Sequence, residues 1–258
     1  MKNWMKEKLE RGENAAGTFF ESGSEAIVEF LGLVNLDYLV IDMEHAPYTL
    51  EQATSFIRAA ELREITPVVR IKNTMRSTVL NVLDIGARGL IIPAIKTVDE
   101  VKQVLEYAKY APAGQRGAFF PRAYNYGLCG ELQNISTHFE MTNNTTMILP
   151  QCETKEILEV IEDVVALDGV DGIFIGPYDL SIALGKPAAF DDPVVSGAFK
   201  RVLKACLNHQ KYCFIYAPSA AAARNYFEQG YRGACISSDI IEIGNAFRGI
   251  VSDTFPAK

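Results

Sequence analysis

The chain has 258 residues, 48% of them hydrophobic and 22% charged, with 25 basic against 32 acidic side chains. That length is ample for a sizeable buried core, and these fractions exclude disorder, collagen-like repeats and a disulfide scaffold. A formal charge of −7 and a pI near 5.1 argue against nucleic acid or an anionic membrane as partner, and no apolar run approaches the ~20 residues of a membrane span.

The N-terminal stretch MKNWMKEKLERGEN is charged throughout and lacks the apolar core of a signal peptide. A short apolar run over 18–20 predicts the first strand. Residues 24–31, opened by a Ser cap and followed by Gly32, predict a helix. Strand 38–42 precedes helical spacing over 50–60. Strand 68–71 precedes a helix that ends at Asp84, and strand 90–93 precedes helical spacing over 98–108. A long connection, about 110–145, then holds YAPAGQRGAFFPRAYNYGLCG and a short helix near 131–141. A connection of that length inside a compact domain reads as a lid or a subunit contact. The pattern resumes with strand 147–151, helix 157–166, strand 173–175 and helix 194–207, which has Pro193 at its first turn. Strand 213–215, helix 220–229 closed by Gly230, and strand 234–236 complete it.

Most of these strands are near-continuous apolar runs, as parallel strands buried on both faces require. The alternation predicts the α/β class and a single (β/α)₈ TIM barrel over 1–258. An open doubly wound sheet is the weaker reading, because no GxGxxG follows the first strand and the strands number eight. Cys129, Cys152, Cys206, Cys213 and Cys235 are odd in number and form no CxxC pair, so they read as reduced thiols of a cytoplasmic protein.

A barrel builds its site from residues that follow its strands. Here those are Asp42, Glu44 and His45; Arg70 and Lys72; Lys96; Gln151 and Glu153; Tyr178 and Asp179; and Ser237, Ser238 and Asp239. Strand alternation puts Gln151 and Glu153 on one face and Cys152 on the other. That pair suits an oxygen-ligated dication and a substrate hydrogen bond, although Glu153 could equally favour the helix start near Thr154. Asp179 reads as a second ligand or as a cap for the turn 180–184. His45 suits a general base at neutral pH, whereas His138 and His209 fall on helices without polar company. Arg70, at the end of an apolar strand, calls for an anion: a substrate oxygen, or Asp42 and Glu44. Asp239 reads as the cap of the last helix.

The segments DYLVIDMEHAPYT, PVVRIKNTMRSTVLNVLDIGARGLIIPAIKT, AGQRGAFFPRAYNYG, LPQCETKEILEVIEDVVALDGVDGIFIGPYDLSIALG and GYRGACISSDI resemble the HpcH/HpaI aldolases. That resemblance implies class II pyruvate aldolases acting on 4-hydroxy-2-oxo acids such as 4-hydroxy-2-oxoheptanedioate. It further implies a homo-hexamer that uses Mg²⁺, Mn²⁺ or Co²⁺ and no organic cofactor. Transferred residue by residue, it makes Glu153 and Asp179 the metal ligands, with Gln151 and the backbone around Tyr178 holding the 2-oxo acid. His45 would be the base, and Arg70 would stabilise negative charge on the keto oxygen. Asp84 would raise the basicity of His45, which requires an unusually placed helix or a neighbouring subunit. Lys72, Lys96 and Tyr178 depart from the family pattern. Two rivals stay open: a Schiff-base aldolase using Lys72 or Lys96, and a non-catalytic 2-oxo-acid binding protein.

Overall fold

Eight parallel strands close on themselves in sequence order, with β1 lying between β2 and β8. The computed structural model describes residues 2–128 and 134–255. Its strands are β1 (Ala15–Phe20), β2 (Tyr38–Asp42), β3 (Thr66–Arg70), β4 (Gly89–Ile92), β5 (Met147–Cys152), β6 (Gly172–Ile175), β7 (Tyr212–Ala217) and β8 (Gly233–Ser238). Each overlaps a strand expected from the sequence, so the (β/α)₈ barrel stands.

Side chains alternate across the strands and divide the core in two. Tyr38, Val40, Val68, Met147, Leu149, Phe174, Phe214 and Cys235 fill the barrel interior. Leu39, Ile41, Val69, Ile148, Cys152 and Ile173 face outward into the helical layer. The interior is tight. A Cβ at Gly17 would meet the Tyr38 ring, and one at Gly233 would meet the Phe214 ring, so bulky neighbours occupy the space those glycines leave.

A first helix, α1 (Trp4–Glu10), closes the lower end of the barrel and inserts Met5 and Leu9 beneath the interior layers. The helices that alternate with the strands include α2 (Glu25–Leu33), α3 (Leu50–Leu62), α4 (Arg76–Asp84) and α5 (Val98–Ala108). Thr49 and Thr97 open α3 and α5 with capping boxes. Gly32 lies inside α2 rather than after it, at a close approach where a Cβ would meet Arg63 just past α3; Asn35, at φ 62°, makes the left-handed turn. The helix expected over 157–166 breaks at Val160 into α7 (Lys155–Glu159) and α8 (Ile161–Val165).

Further along lie α9 (Pro177–Ala183), α10 (Pro193–Asn208) and α11 (Ala220–Gln229), the last closed by Gly230 at φ 106°. The final helix, α12 (Asp239–Thr254), is capped by Ser238, not Asp239. Asp239 is buried and accepts the N–H groups of Glu21 and Ser22, pinning the end of β1. From Ile240 onward α12 is exposed along its length, including Ile240, Ile243, Phe247, Ile250 and Val251.

The long connection runs from the end of α5 through a 3₁₀ segment, Arg122–Gly127, to α6 (Ile135–Thr145), which leads into the start of β5. It packs against the lower ends of the helices. Arg116 pairs with Asp84 at 2.7 Å, Arg122 pairs with Glu61 and donates to the Ile85 carbonyl, and Lys109 donates to the carbonyls of Asn143 and Thr146. A connection from helix to strand sits at that end by topology, so it is no lid over its own barrel mouth. Cys129 and the start of the helix expected near 131–141 lie outside the described residues.

Candidate active site

β2 and β3 pair with Asp42 opposite Arg70, and both side chains point inward two residues after Val40 and Val68. Arg70 donates from Nε to Asp42 Oδ1 at 2.9 Å and from Nη2 to Oδ2 at 2.6 Å, a bidentate pair. Asp42 is fully buried, and Oδ1 also accepts the N–H groups of Glu44 (3.0 Å) and His45 (3.4 Å), which turns the chain after β2. The guanidinium carbon stands 4.6 Å from the Phe19 ring centroid. Burial works against the Arg70 charge, but the Asp42 hydrogen bonds and the charges of Asp42, Glu44 and Glu153 outweigh it and hold the pKa above its ordinary value.

Glu153, 8% exposed, faces the same space. Oε1 accepts the Ala94 N–H at 2.6 Å, and Oε2 accepts a hydrogen bond from Gln151 Nε2. Ala94 adopts a left-handed backbone at φ 55°, a conformation that a non-glycine residue takes at some cost, and it aims its N–H at the carboxylate. Burial pushes the Glu153 carboxyl up to about 6; the Ala94 N–H opposes the shift, while Glu44 and Asp179 add to it. Burial likewise raises Glu44, against the pull of Arg70 and His45 and with further push from Asp42 and Asp179. Glu44, Glu153 and Asp179 therefore repel one another across one space. Among the described residues the one guanidinium there, Arg70, is bidentate on Asp42, with Glu44 Oε2 3.4 Å from its Nε.

Gln151 is 1% exposed, and its Oε1 has no hydrogen-bond partner. Gly176, at the end of β6, makes this packing possible, since a Cβ there would stand 2.8 Å from Gln151 Nε2 and 3.1 Å from Glu153 Oε2. A cavity of about 190 Å³ opens above, lined by Arg70, Gln151, Gly176, Pro177, Tyr178 and Asp179 on one side. Its other side carries Phe19, Phe174, Glu21, Tyr216, Ser238 and Ile241. Asp179 lies in the first turn of α9 but makes no cap hydrogen bond; Gly176 occupies the cap position. Thr154, not Glu153, caps α7.

Other expected residues stand elsewhere. His45 is at the rim, its side chain 68% exposed and its Nε2 3.7 Å from Glu44 Oε2. Asp84 ends α4 at the lower end of the barrel, held by Arg116, so within one chain it does not reach His45. Lys72 is exposed, and Lys96 pairs with Glu156 on the outer surface; neither lines the cavity. That removes the geometric basis for a Schiff base at either lysine. His138 is buried against the Tyr124 ring with Thr142 Oγ1 3.4 Å from its Nε2, so it does have polar company.

The lining residues that the sequence reading did not single out include Phe19, Glu21 and Tyr216. Period-two alternation could have found these. Phe19 and Glu21 continue the inward face of β1, and Tyr216 follows Phe214 on β7.

The profile of the family described as HpcH/HpaI aldolase/citrate lyase matches residues 15–246. A 2-keto-3-deoxy-L-rhamnonate aldolase from Salmonella schwarzengrund (strain CVM19633) is 33% identical over 209 residues, 80% of this chain and 74% of the relative. An HpcH/HpaI aldolase/citrate lyase family protein from Burkholderia cenocepacia J2315 superposes with TM-score 0.90 at 31% identity, covering 98% of this chain and 99% of the other. An HpcH/HpaI aldolase from Desulfitobacterium hafniense DCB-2 gives TM-score 0.93 at 26% identity, covering 100% and 98%. The chain belongs to the HpcH/HpaI aldolase/citrate lyase family of carbon–carbon lyases.

Proposed function

We propose that this chain is a divalent-metal-dependent class II aldolase that reversibly cleaves a 4-hydroxy-2-oxo acid to pyruvate, or a close 2-oxo acid, and an aldehyde. One observation supports this reading above the others. Among the described residues Glu44, Glu153 and Asp179 crowd the mouth around one guanidinium, Arg70, that is already bidentate on Asp42, beside the unpartnered Oε1 of buried Gln151. This all-oxygen donor set fits Mg²⁺, Mn²⁺ or Co²⁺. Glu153 and Asp179 would hold the ion. Among the described residues no group of three or more His, Cys, Asp or Glu side chains could hold an ion, so substrate and water would supply the remaining ligands. The bound dication would supply Lewis-acid charge at the keto oxygen of the 2-oxo acid.

The chain's own residues do the rest. Gln151 and the backbone around Tyr178 hold the 2-oxo acid in one orientation, which lowers the entropic part of the barrier. Arg70, fixed by Asp42, adds positive charge where the keto oxygen turns negative. His45, directly or through a water, takes the C4 hydroxyl proton. The C3–C4 electron pair then moves into the enolate of pyruvate as the aldehyde leaves, and protonation at C3 gives pyruvate. Asp84 can support His45 only across a subunit boundary.

The reading includes assembly with further copies of this chain, as a homo-hexamer. The exposed apolar side of α12 and the open groove of about 650 Å³ between it and Ile27, Phe30 and Leu31 of α2 support self-association. Light scattering at micromolar concentration tests it, and a monomer would reject it. A cytoplasmic location fits the unpaired, buried thiols of Cys152, Cys206, Cys213 and Cys235. Among the described residues no helix is long and apolar enough to cross a membrane.

The aldolase reading is tested by pyruvate release from 4-hydroxy-2-oxo acids. EDTA should abolish release and Mn²⁺ or Mg²⁺ restore it. Full turnover in the metal-stripped protein would reject the reading, as would a borohydride-trapped pyruvate adduct on a lysine. Saturable pyruvate binding without turnover over a broad aldehyde panel would favour a binding protein instead.

A further inference from the structure

The cavity has two sides, and they differ in chemistry. Arg70 and Gln151 come from the ends of β3 and β5, and Asp179 from the first turn of α9 after β6. The remaining wall comes from β1, β7 and β8 across the barrel: Phe19, Glu21, Tyr216 and Ser238. If the 2-oxo acid occupies the first side, as proposed above, the second is what the aldehyde meets when it approaches C3.

That second wall is aromatic and hydroxylated, and its one charge is negative. Phe19 packs edge-on to Phe174 at 6.1 Å between ring centroids, and the Tyr216 ring stands 6.1 Å from Phe19 and 5.8 Å from Tyr178. Glu21 stands half-buried at the end of β1, where the carboxylate of Asp239 fixes its backbone N–H at 2.8 Å. Among the described residues the single cation lining the cavity is Arg70, whose Nε and Nη2 donate to Asp42 and whose remaining charge the reading above assigns to the keto oxygen of the 2-oxo acid. An aldehyde carrying its own carboxylate would find Glu21 there and no counter-charge. A hydroxylated neutral aldehyde would find hydroxyls on Tyr216 and Ser238 and an acceptor in Glu21. An apolar aldehyde would have to strip water from the Glu21 carboxylate without replacing it.

The geometry points to Glu21 and Tyr216 as the acceptor-selecting wall, tuned to short, uncharged, hydroxylated aldehydes and against aldehyde acids. The inference rests on the aldolase reading and narrows it. It sets this chain apart from a heptanedioate-type substrate, whose aldehyde half is an anion. At about 190 Å³ the cavity lies below the roughly 300–1,000 Å³ of drug-sized pockets, which suits a short acceptor.

The test is aldol addition of pyruvate to glyceraldehyde, propionaldehyde and succinic semialdehyde in one Mn²⁺-supplemented assay. The wild-type kcat/KM should favour glyceraldehyde over succinic semialdehyde by at least about tenfold, with propionaldehyde between them. Glu21→Gln should shrink the glyceraldehyde-to-semialdehyde ratio by roughly tenfold, and Glu21→Lys should invert it. The ratio within one variant does not depend on how much of the protein is folded. A wild-type preference for succinic semialdehyde, or a ratio that Glu21→Gln leaves unchanged, overturns the assignment. Exchange of pyruvate methyl protons with deuterium reads the donor side alone. Exchange with the wrong aldehyde order rejects only the acceptor wall; no exchange and no addition rejects the aldolase reading and this inference with it.

Discussion

The two ends of the barrel treat charge in opposite ways. At the lower end the partly buried acids Asp37 and Asp171 each have a cation: Lys8 meets Asp37 at 2.8 Å, and Lys6 meets Asp171 at 2.8 Å, with Lys109 3.9 Å away. Asn3, 2% exposed, donates to the carbonyls of Arg88 and Thr145 and accepts the Lys6 N–H. At the mouth, Arg70 is bidentate on Asp42 and reaches Glu44 at 3.4 Å, and Glu44, Glu153 and Asp179 repel one another around that one guanidinium. A fold selected for stability alone would have paired them. The lower end is built to hold the barrel shut, and the mouth keeps an unbalanced charge for something that binds there.

The largest expected effect is at the one pair the two ends share in kind. Arg70→Met leaves the Asp42 carboxylate buried without its partner, which should cost about 3–5 kcal/mol of stability together with the activity. Chemical denaturation of the variant reads the first and pyruvate release the second. A loss of activity with unchanged stability would mean that the pair does not hold the mouth.

Glu153→Gln should separate the ends more sharply. Removing a carboxylate from a repelling cluster should leave thermal stability unchanged or raised, while kcat/KM falls at least about a hundredfold for want of a metal ligand. Isothermal titration with Mn²⁺ should show the loss directly. A destabilised variant that still binds Mn²⁺ would place Glu153 among the structural acids of the lower end.

The sequence carried the mouth better than the flanks because period-two alternation is a local rule. It put Gln151 and Glu153 on one face, and it applies equally to Asp42 and Arg70, whose pairing was foreseeable as an ion pair. It holds for β1 and β7 as well, where it turns Phe19, Glu21 and Tyr216 inward, but none of the three carries a motif that marks it in the sequence. Long-range partners were beyond its reach. Nothing near Asp84 in the chain announces Arg116, and nothing near Glu153 announces the Ala94 N–H, 59 residues away. The long connection reads from its length as a lid or a subunit contact; its place between a helix and the next strand puts its described residues at the lower end, which counters the lid and not the subunit contact.

That flank also carries a pH dependence the mouth does not need. His138 is 3% exposed, stacked on Tyr124 at 3.8 Å between centroids, and its Nδ1 has no hydrogen-bond partner. Burial, helped by the charge of Arg116, lowers its pKa from 6.5 to about 4. Between those values the unfolded chain binds the proton that the folded one refuses. Stability is therefore full above pH 6.5 and is lost as pH falls toward 4, by about 1–3 kcal/mol. His138→Phe should flatten that part of the profile in urea melts. An unchanged acid limb would show that other groups set it.

Asn3→Ala is the smallest of these tests and the most direct probe of whether the ends are independent. The substitution removes the cap of α1 and strands the buried carbonyl of Arg88 and the part-buried one of Thr145, which lie on the segments leading into β4 and β5. The expected cost is about 1–3 kcal/mol of stability. β4 and β5 deliver Ala94 and Glu153 to the mouth only through the length of the barrel, whose close-packed interior of Val68, Ile91 and Leu149 should keep the upper register fixed once the chain is folded. In buffer where the variant is fully folded, kcat/KM should stay within roughly twofold of the parent, since the two sites are far enough apart to act independently. A tenfold fall would mean that the lower network sets the geometry of Glu153, and the division between a closed end and a working end would give way to a single coupled unit.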